Sequence, residues 1–513
     1  MKTMPSHRSG LPGGQSLPRQ LLTLLALFIY FFTPLTAHAL EKPRVIVLAD
    51  MGNEPDEEQQ MVHLLLYANE LDIEGLIAVT GKFLRKDPQP ELFFHLIDGY
   101  DRVVDNLRIH ADGWPNASHL QSVVAEGQHR YGISDAKLGR TSPGSRLIER
   151  SLLKDDPRPV HVIVNAGSNT LAQALLDLEV KLPTFEFQAA LAKLRVFENG
   201  AQDNAGAWIM ARWPSINWIR SNYQTYCYGG PSIDGGQDNR GSGKELGPYT
   251  WKPYEYSGLG QHLWALEHLK GNHGPLMARW PLRQFPRGGV SFLEGGGTIP
   301  FLRLLPNGLQ DPEHPEWGGW GGRYQNTRSK NVWSKHRDVR VDEQTYGEFH
   351  MFDEAADTWT DHTAEPPITH TKNHFAPVWR WRDAFFSDFA ARADWCLKKY
   401  EEANHSPTII LNGSSDPVIA HTTAKAGTTL TFDASQTTDP DGDPLVFKWW
   451  IYEEPSTYKG DLKKLVTHPD QATCKLELPS DAKGQTLHLI LEVKDKSDIH
   501  PITSYRRTIV TIK

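Results

Sequence analysis

Val45-Ile46-Val47-Leu48-Ala49-Asp50-Met51-Gly52-Asn53-Glu54-Pro55-Asp56-Glu57 carries an apolar strand straight into a loop with four acidic side chains, after which a helical pattern begins. Carboxylates this close repel one another, so a folded chain keeps them ionised only with a cation among them, or else some take up protons. Oxygen-only ligands suit a hard ion, Ca²⁺ ahead of Mg²⁺. An acidic helix N-terminus would account for Asp56 and Glu57, because acids favour the first turn. It does not account for Asp50, which leaves the strand before the turn.

Outward from this stretch, β-rich runs alternate with helical periodicity, the pattern of parallel βαβ units. Met61, Leu64, Leu65 and Ala68 make one helix face, and Ile73 to Thr80 reads as the next strand. Leu92, Leu96, Ile97, Tyr100, Val103 and Val104 recur at helical spacing. Val160 to Val164 is a strand ending in Asn165-Ala166-Gly167-Ser168-Asn169-Thr170, and Leu194 to Phe197 is another, followed by Glu198-Asn199-Gly200-Ala201-Gln202-Asp203-Asn204. Polar clusters thus recur just past the carboxyl ends of strands, where open α/β sheets bind ligands. Asn199, Asp203 and Asn204 are candidate substrate contacts on that ground, with helix capping as the alternative for Asp203 and Asn204.

At 513 residues the chain exceeds one ordinary domain. Arg8 and Arg19 precede an apolar run from Leu21 to Phe32, and Ala37 and Ala39 stand in an A-x-A arrangement. That reads as a signal peptide over 1–39, hence export to a periplasmic or extracellular space. The run is short for a membrane anchor, and no other stretch reaches transmembrane length. Three cysteines, Cys227, Cys396 and Cys474, allow at most one bridge and show no C-x-x-C spacing for zinc. A net charge of −8 with dispersed basic residues excludes a nucleic-acid polymer as partner. No G-x-S-x-G, Walker A or H-E-x-x-H string is present.

Residues 40–404 are expected to form the α/β unit, an open, mostly parallel, Rossmann-type sheet with helices on both faces, closed by a helix near Trp379 to Tyr400. Its middle, Tyr223 to Trp333, is rich in Gly, Pro and Trp and irregular, as functional loops are. From 405 to 513 short alternating strands with turn signals predict a β-sandwich. Within it Asp439-Pro440-Asp441-Gly442-Asp443-Pro444 reads as a tight turn rather than a Ca²⁺ loop, because no Glu stands at EF-hand spacing.

Val45 to Glu57 resembles the N-terminal signature of nucleoside hydrolases. Gly167-Ser168-Asn169-Thr170-Leu171-Ala172 is similar to that family's glycine-led turn, whose residue at the Asn169 place offers a calcium ligand. The wording Asp50-Met51-Gly52-Asn53-Glu54-Pro55-Asp56, with the long string from Pro306-Asn307-Gly308 through Gly321-Gly322-Arg323, is similar to a bacterial nucleoside hydrolase-like branch described as cellulose-binding, with a cadherin-like or PKD-like C-terminal domain. The resemblance implies Ca²⁺-dependent hydrolysis of an N-glycosyl or related glycosidic bond. Asp50 would be both ligand and base, and a metal-activated water would attack the anomeric carbon as an oxocarbenium ion develops. The partner would be a sugar or nucleoside-like small molecule, with a polysaccharide as a further candidate.

Two departures stand out. Asp50 and Asp56 are two residues farther apart than the family's acids, so either Glu54 or the Asp56-Glu57 pair completes the acidic ligands. The family's late His-Asp is replaced within Ser291-Phe292-Leu293-Glu294-Gly295-Gly296-Gly297-Thr298, where Glu294 is the substitute ligand. A shell broken at Glu294 would favour a non-catalytic carbohydrate-binding protein on the same fold. His314, Glu316, Trp317 and Trp320 lie in a glycine-dense loop whose aromatics suit sugar faces, or else pin the loop to the core.

Overall fold

The computed structural model describes residues 41–52, 54–222, 224–225, 265–284, 290–291, 296–329, 338–339, 343, 345–346, 349–362 and 366–513. Glu294, Cys227 and most of the irregular middle lie outside these. The chain divides into Met1–Ala39 and a compact unit from Leu40 to Lys513.

Six parallel strands form the heart of the larger unit: β1 (Arg44–Ala49), β2 (Asp72–Ala78), β3 (Val124–Glu126), β4 (Val160–Val164), β5 (Leu194–Asn199) and β6 (Asn217–Ser221). Their order is β3-β2-β1-β4-β5-β6, continued by Phe349–Glu354, parallel to β6, and an antiparallel edge strand, Tyr324–Ser329. Every residue of β1 is buried, as expected of a strand covered on both faces. Alternate side chains go to opposite layers. Val45 and Val47 meet Met61, Leu64 and Phe389 on one face, while Ile46 and Leu48 meet Leu147, Leu171 and Leu175 on the other. The predicted helices on both faces are therefore present.

Two helical expectations change in detail. The spacing from Leu92 to Val104 is shared by two helices, Glu91–Asp101 and Val104–His110, and the closing helix runs over Arg382–Asp394 after a separate turn at Ala376–Trp379. Strand order reverses at β1, which lies between β2 and β4. A crevice therefore opens at the carboxyl ends of β1 and β4.

The C-terminal residues form a four-stranded sheet (Ala420–Ala424, Leu445–Ile451, Thr486–Asp495, Thr503–Ile512) and a three-stranded sheet (Thr429–Asp433, Val466–Thr467, Thr473–Glu477). They share a core of Phe432, Trp449, Leu476, Leu491 and Val510. Asp439 Oδ1 accepts from the N–H groups of Asp441 and Asp443 at 2.9 and 3.0 Å, which is turn chemistry. Tyr452, Ile490 and Tyr505 reach into the main core, where Trp381 meets Tyr505 with ring centres 5.7 Å apart. Cys396 and Cys474 are buried free thiols. Among the described residues no helix is long and apolar enough to cross a membrane.

Candidate active site

Asp50 follows β1 directly at the reversal point and is 3% exposed. The backbone of β2's following loop comes so close that a Cβ on Gly81 would stand 2.5 Å from Asp50 Oδ2. This oxygen has no hydrogen-bond partner among the described residues. Burial, then the Asp56 charge, push the Asp50 carboxyl well above its ordinary range, against a hydrogen bond from Glu57 that lowers it.

The helix α1 (Asp56–Leu65) starts under this carboxyl without a side-chain cap, and Asp56, Glu57 and Glu58 fill its first turn. Glu57 is buried, and burial followed by the charges of Asp56 and Asp50 raise it strongly. Burial, with Asp56, pushes Glu58 up to about 7. Glu54, part-buried on the loop, adds its charge against both Asp50 and Glu57. The favourable first-turn dipole contributes roughly 0.3–1 kcal/mol per acid, too little to offset burial of several crowded carboxyls.

The neighbouring strand ends supply neutral oxygens. Asn165 follows β4, donates from Nδ2 to Gln60 Oε1 at 2.6 Å, and accepts at its backbone oxygen from Gln202 Nε2 at 2.7 Å. Asn165 Oδ1 and Gln202 Oε1 are buried and have no hydrogen-bond partner among the described residues. Asn169, fully buried, donates from Nδ2 to Thr80 Oγ1 at 3.2 Å and to the Arg130 carbonyl at 2.6 Å. Asp203 accepts from the Asn169 N–H at 3.2 Å and the Ala205 N–H at 2.9 Å, and burial still lifts it to about 7. Asn204 Oδ1 accepts from the Ile133 N–H at 3.0 Å and makes no side-chain cap bond to its own helix. Asn199 Oδ1 accepts from Thr225 Oγ1 at 2.7 Å.

Asp50, Glu54, Asp56, Glu57, Asn169, Asn199, Asp203 and Asn204 therefore share the carboxyl edge of the sheet. His314, Glu316, Trp317 and Trp320 do not join them, which corrects their grouping into one site. Glu313 pairs with Arg195 at the amino end of β5, at 2.7 Å, and Arg507 donates to the Trp317 and Gly318 carbonyls at 2.9 and 2.8 Å. These anchors hold the loop at the opposite edge. Trp317 stacks on His314 at 3.8 Å, His314 pairs with Glu316 at 2.9 Å, and Trp320 is 3% exposed, edge-on to Phe385 and Tyr505.

Sequence reading missed Asn165 and Gln202, which have no motif of their own. It also missed a buried ion network behind the site. Glu198 and Arg220 are paired neighbours on β5 and β6, 2.7 Å apart, and Arg220 reaches Glu343 at 2.9 Å. Ser168 donates to Glu198 at 3.0 Å, tying the Gly167–Asn169 turn to that network. Opposite charges inside two consecutive apolar strands were the available signal.

Among the described residues no group of three or more His, Cys, Asp or Glu side chains is placed to hold a metal ion. Calcium, however, takes six to eight oxygens and accepts amide, hydroxyl and carbonyl donors beside carboxylates. Asp50 and Glu57 with the neutral oxygens of Asn165, Thr80 and Asn169 fit that chemistry, and the partnerless Asp50 Oδ2 is what a cation would satisfy.

The matching family models are "Cellulose-binding Sde182, nucleoside hydrolase-like domain" over residues 44–324 and "Cellulose-binding protein Sde0182, C-terminal domain" over residues 429–512. No curated protein matches. Among solved structures, a nucleoside hydrolase-related hypothetical protein from Saccharophagus degradans, described as associated with carbohydrate metabolism, is 30% identical with a TM-score of 0.76. The match covers 92% of this chain and 100% of that one. With the open parallel sheet, the acidic strand end and a family model spanning more than half its length, the chain belongs to the cellulose-binding Sde182 family with a nucleoside hydrolase-like domain.

Proposed function

We propose that the carboxyl edge around Asp50 is the centre of an exported, Ca²⁺-dependent hydrolase of N-glycosyl or related glycosidic bonds. The observation that carries this reading is Asp50 itself: a carboxyl buried at the point of strand reversal, with one oxygen unsatisfied and Glu57 turned onto it. Such perturbed acids in a crevice are expensive to fold and cluster at functional sites. When bound, the ion supplies the positive charge that keeps Asp50 and Glu57 ionised and polarises the reacting groups.

The Asp50 carboxylate would take a proton from the attacking water, while the water oxygen bonds to the anomeric carbon and the glycosidic bond breaks toward the leaving group. Asn169 is fixed by Thr80 and the Arg130 carbonyl at the turn that follows β4. The substrate class is a sugar or nucleoside-like molecule. Export rests on the leader-like residues 1–39 and on the family's association with cellulose.

That no three or more His, Cys, Asp or Glu side chains among the described residues are placed to hold one metal ion favours a second reading, a carbohydrate-binding protein that keeps the fold without turnover. A screen of nucleosides and aryl glycosides in Ca²⁺ separates the two. Turnover lost in Asp50→Asn supports the hydrolase. An inactive wild type that binds glycans supports the binder, and turnover surviving in Asp50→Asn overturns the mechanism.

A further inference from the structure

The long string from Pro306 to Arg323 plays no part at the carboxyl edge, yet it is bound down with unusual care. Gly308 has φ +77°, and a Cβ there would stand 2.3 Å from the Tyr505 carbonyl. The Arg507 N–H donates to the Gly308 carbonyl at 2.8 Å, and Gln310 bridges the string internally, donating to the Leu305 carbonyl at 3.1 Å and accepting from the Trp320 N–H at 2.9 Å. This turn is held against the last strand of the sandwich.

It also forms the common wall of two cavities. The first, about 410 Å³, lies between Tyr67, Trp320 and Arg392 on one side and Ser406, Thr408 and Ser504 on the other. The second, about 390 Å³, lies between Lys42, Arg158 and Glu313 and the sandwich residues Val418 and His421. Leu305, Pro306 and Pro417 line both. The second is bordered by residues just before β1 and β4, so it sits a full strand, about 20 Å, from Asp50.

Each cavity has the size of a small-ligand site, and both lie at a junction between layers, where such sites concentrate. The lining selects among ligands. In the first cavity Arg392 is already paired with Asp388 at 3.0 Å and with Glu70, and Arg506 donates to the Val418, Ile409 and Ser415 carbonyls. In the second, Arg158 is held by Asp156 and Asp72, and Glu313 by Arg195. Arg392, Arg158 and Glu313 are matched by opposite charges, and Arg506 and Lys42 donate to backbone carbonyls, so hydroxyls, carbonyls and the apolar faces of Pro306 and Pro417 carry most of the contact with a ligand. Hydroxyl-rich rings with apolar faces and no charge match that surface.

We propose that the junction between the sheet domain and the sandwich is a groove for a neutral oligosaccharide, separate from the Asp50 crevice, with the Pro306–Gly308 turn as the saddle between two ring-sized chambers. The sugar class rests on the carbohydrate reading above, whereas the location does not. The test is calorimetry of the full chain with cellohexaose, and with a galacturonate hexamer as the charged control. Ser406→Trp and Val418→Trp fill one chamber each from exposed positions. Each is expected to weaken cellohexaose at least tenfold, while Asp50→Asn leaves the cellohexaose affinity unchanged and both Trp variants leave the Ca²⁺ affinity unchanged. Tighter binding of the galacturonate overturns the neutral class. Cellohexaose binding that survives both Trp variants but fails in Asp50→Asn moves the ligand to the crevice, and no binding at millimolar concentration removes the groove while leaving Ca²⁺ binding and hydrolysis to be judged at Asp50.

Discussion

Replacing Asp50 by Asn should stabilise the chelated protein and destabilise the calcium-loaded one. In the free protein the Asp50 carboxyl is buried, repelled by Asp56 and carries an oxygen without a partner. The Asn amide removes the charge and can donate to Glu57. Relief of a buried unsatisfied acceptor is worth about 1–3 kcal/mol, or roughly 2 °C per kcal/mol in Tm for a chain this long. The sign with pH follows from the raised carboxyl. Its contribution is fully present below the unfolded value near 3.9 and is lost as pH rises through the folded value, so the advantage of the variant is largest at alkaline pH. Calcium at a thousand times its Kd adds about 4.1 kcal/mol to the wild type and nothing to a variant that has lost the site, so the order reverses. Thermal unfolding at pH 8 with chelator and with Ca²⁺ reads both halves. A variant destabilised by more than about 1 kcal/mol in chelator, or equal calcium shifts in both proteins, would refute the reasoning.

Asp203, raised to about 7 by burial, should likewise cost stability as pH rises from about 4 to above 7, and Asp203→Asn should flatten the Tm profile over that window. His488 is pushed down to about 2 by burial and by Arg507, whose Nη1 lies 3.2 Å from its Nδ1. The neutral ring therefore stabilises fully above about 6.5 and progressively less as pH falls toward 2, and His488→Gln should remove part of the acid sensitivity seen by circular dichroism. Gly308→Ala meets both a positive φ and the Tyr505 carbonyl, and should cost more than about 1 kcal/mol in urea unfolding; an unchanged midpoint would show that the turn yields. Expressed alone, residues 405–513 should melt cooperatively around the Phe432, Trp449 and Leu476 core, but should expose Tyr452, Ile490 and Tyr505 and bind a hydrophobic dye.

The parallel sheet was legible because β1 and β4 are almost wholly apolar, broken only by Arg44 and His161, and each leads into a polar cluster, a pattern fixed by burial on both faces. The sandwich was legible for the opposite reason, in that strands such as Leu445–Ile451 alternate and are separated by turn residues. The acids were legible as a loop, since Asp50 to Glu57 are local in sequence. What stayed hidden is what contacts across the fold decide. Asn165, Gln202 and Thr80 become neighbours of the acids only through strand order, and no spacing announces them. The aromatic string at 306–323 reads as a sugar site from its composition, yet Arg195 and Arg507, more than a hundred residues away on either side, hold it at the amino edge. Trp317 meets His421 and His488 of the sandwich with ring centres 6.1 and 5.6 Å apart, so the same aromatics serve a domain junction.

Calcium titration of the chelated full-length wild type, by calorimetry in two buffers of different ionisation enthalpy, tests the centre of this account. One ion per chain is expected, with net release of protons because Asp50 and Glu57 are both held well above their ordinary range until a cation discharges them, and the heat should vanish in Asp50→Asn. Silence at millimolar Ca²⁺, or an identical isotherm in the variant, would contradict it.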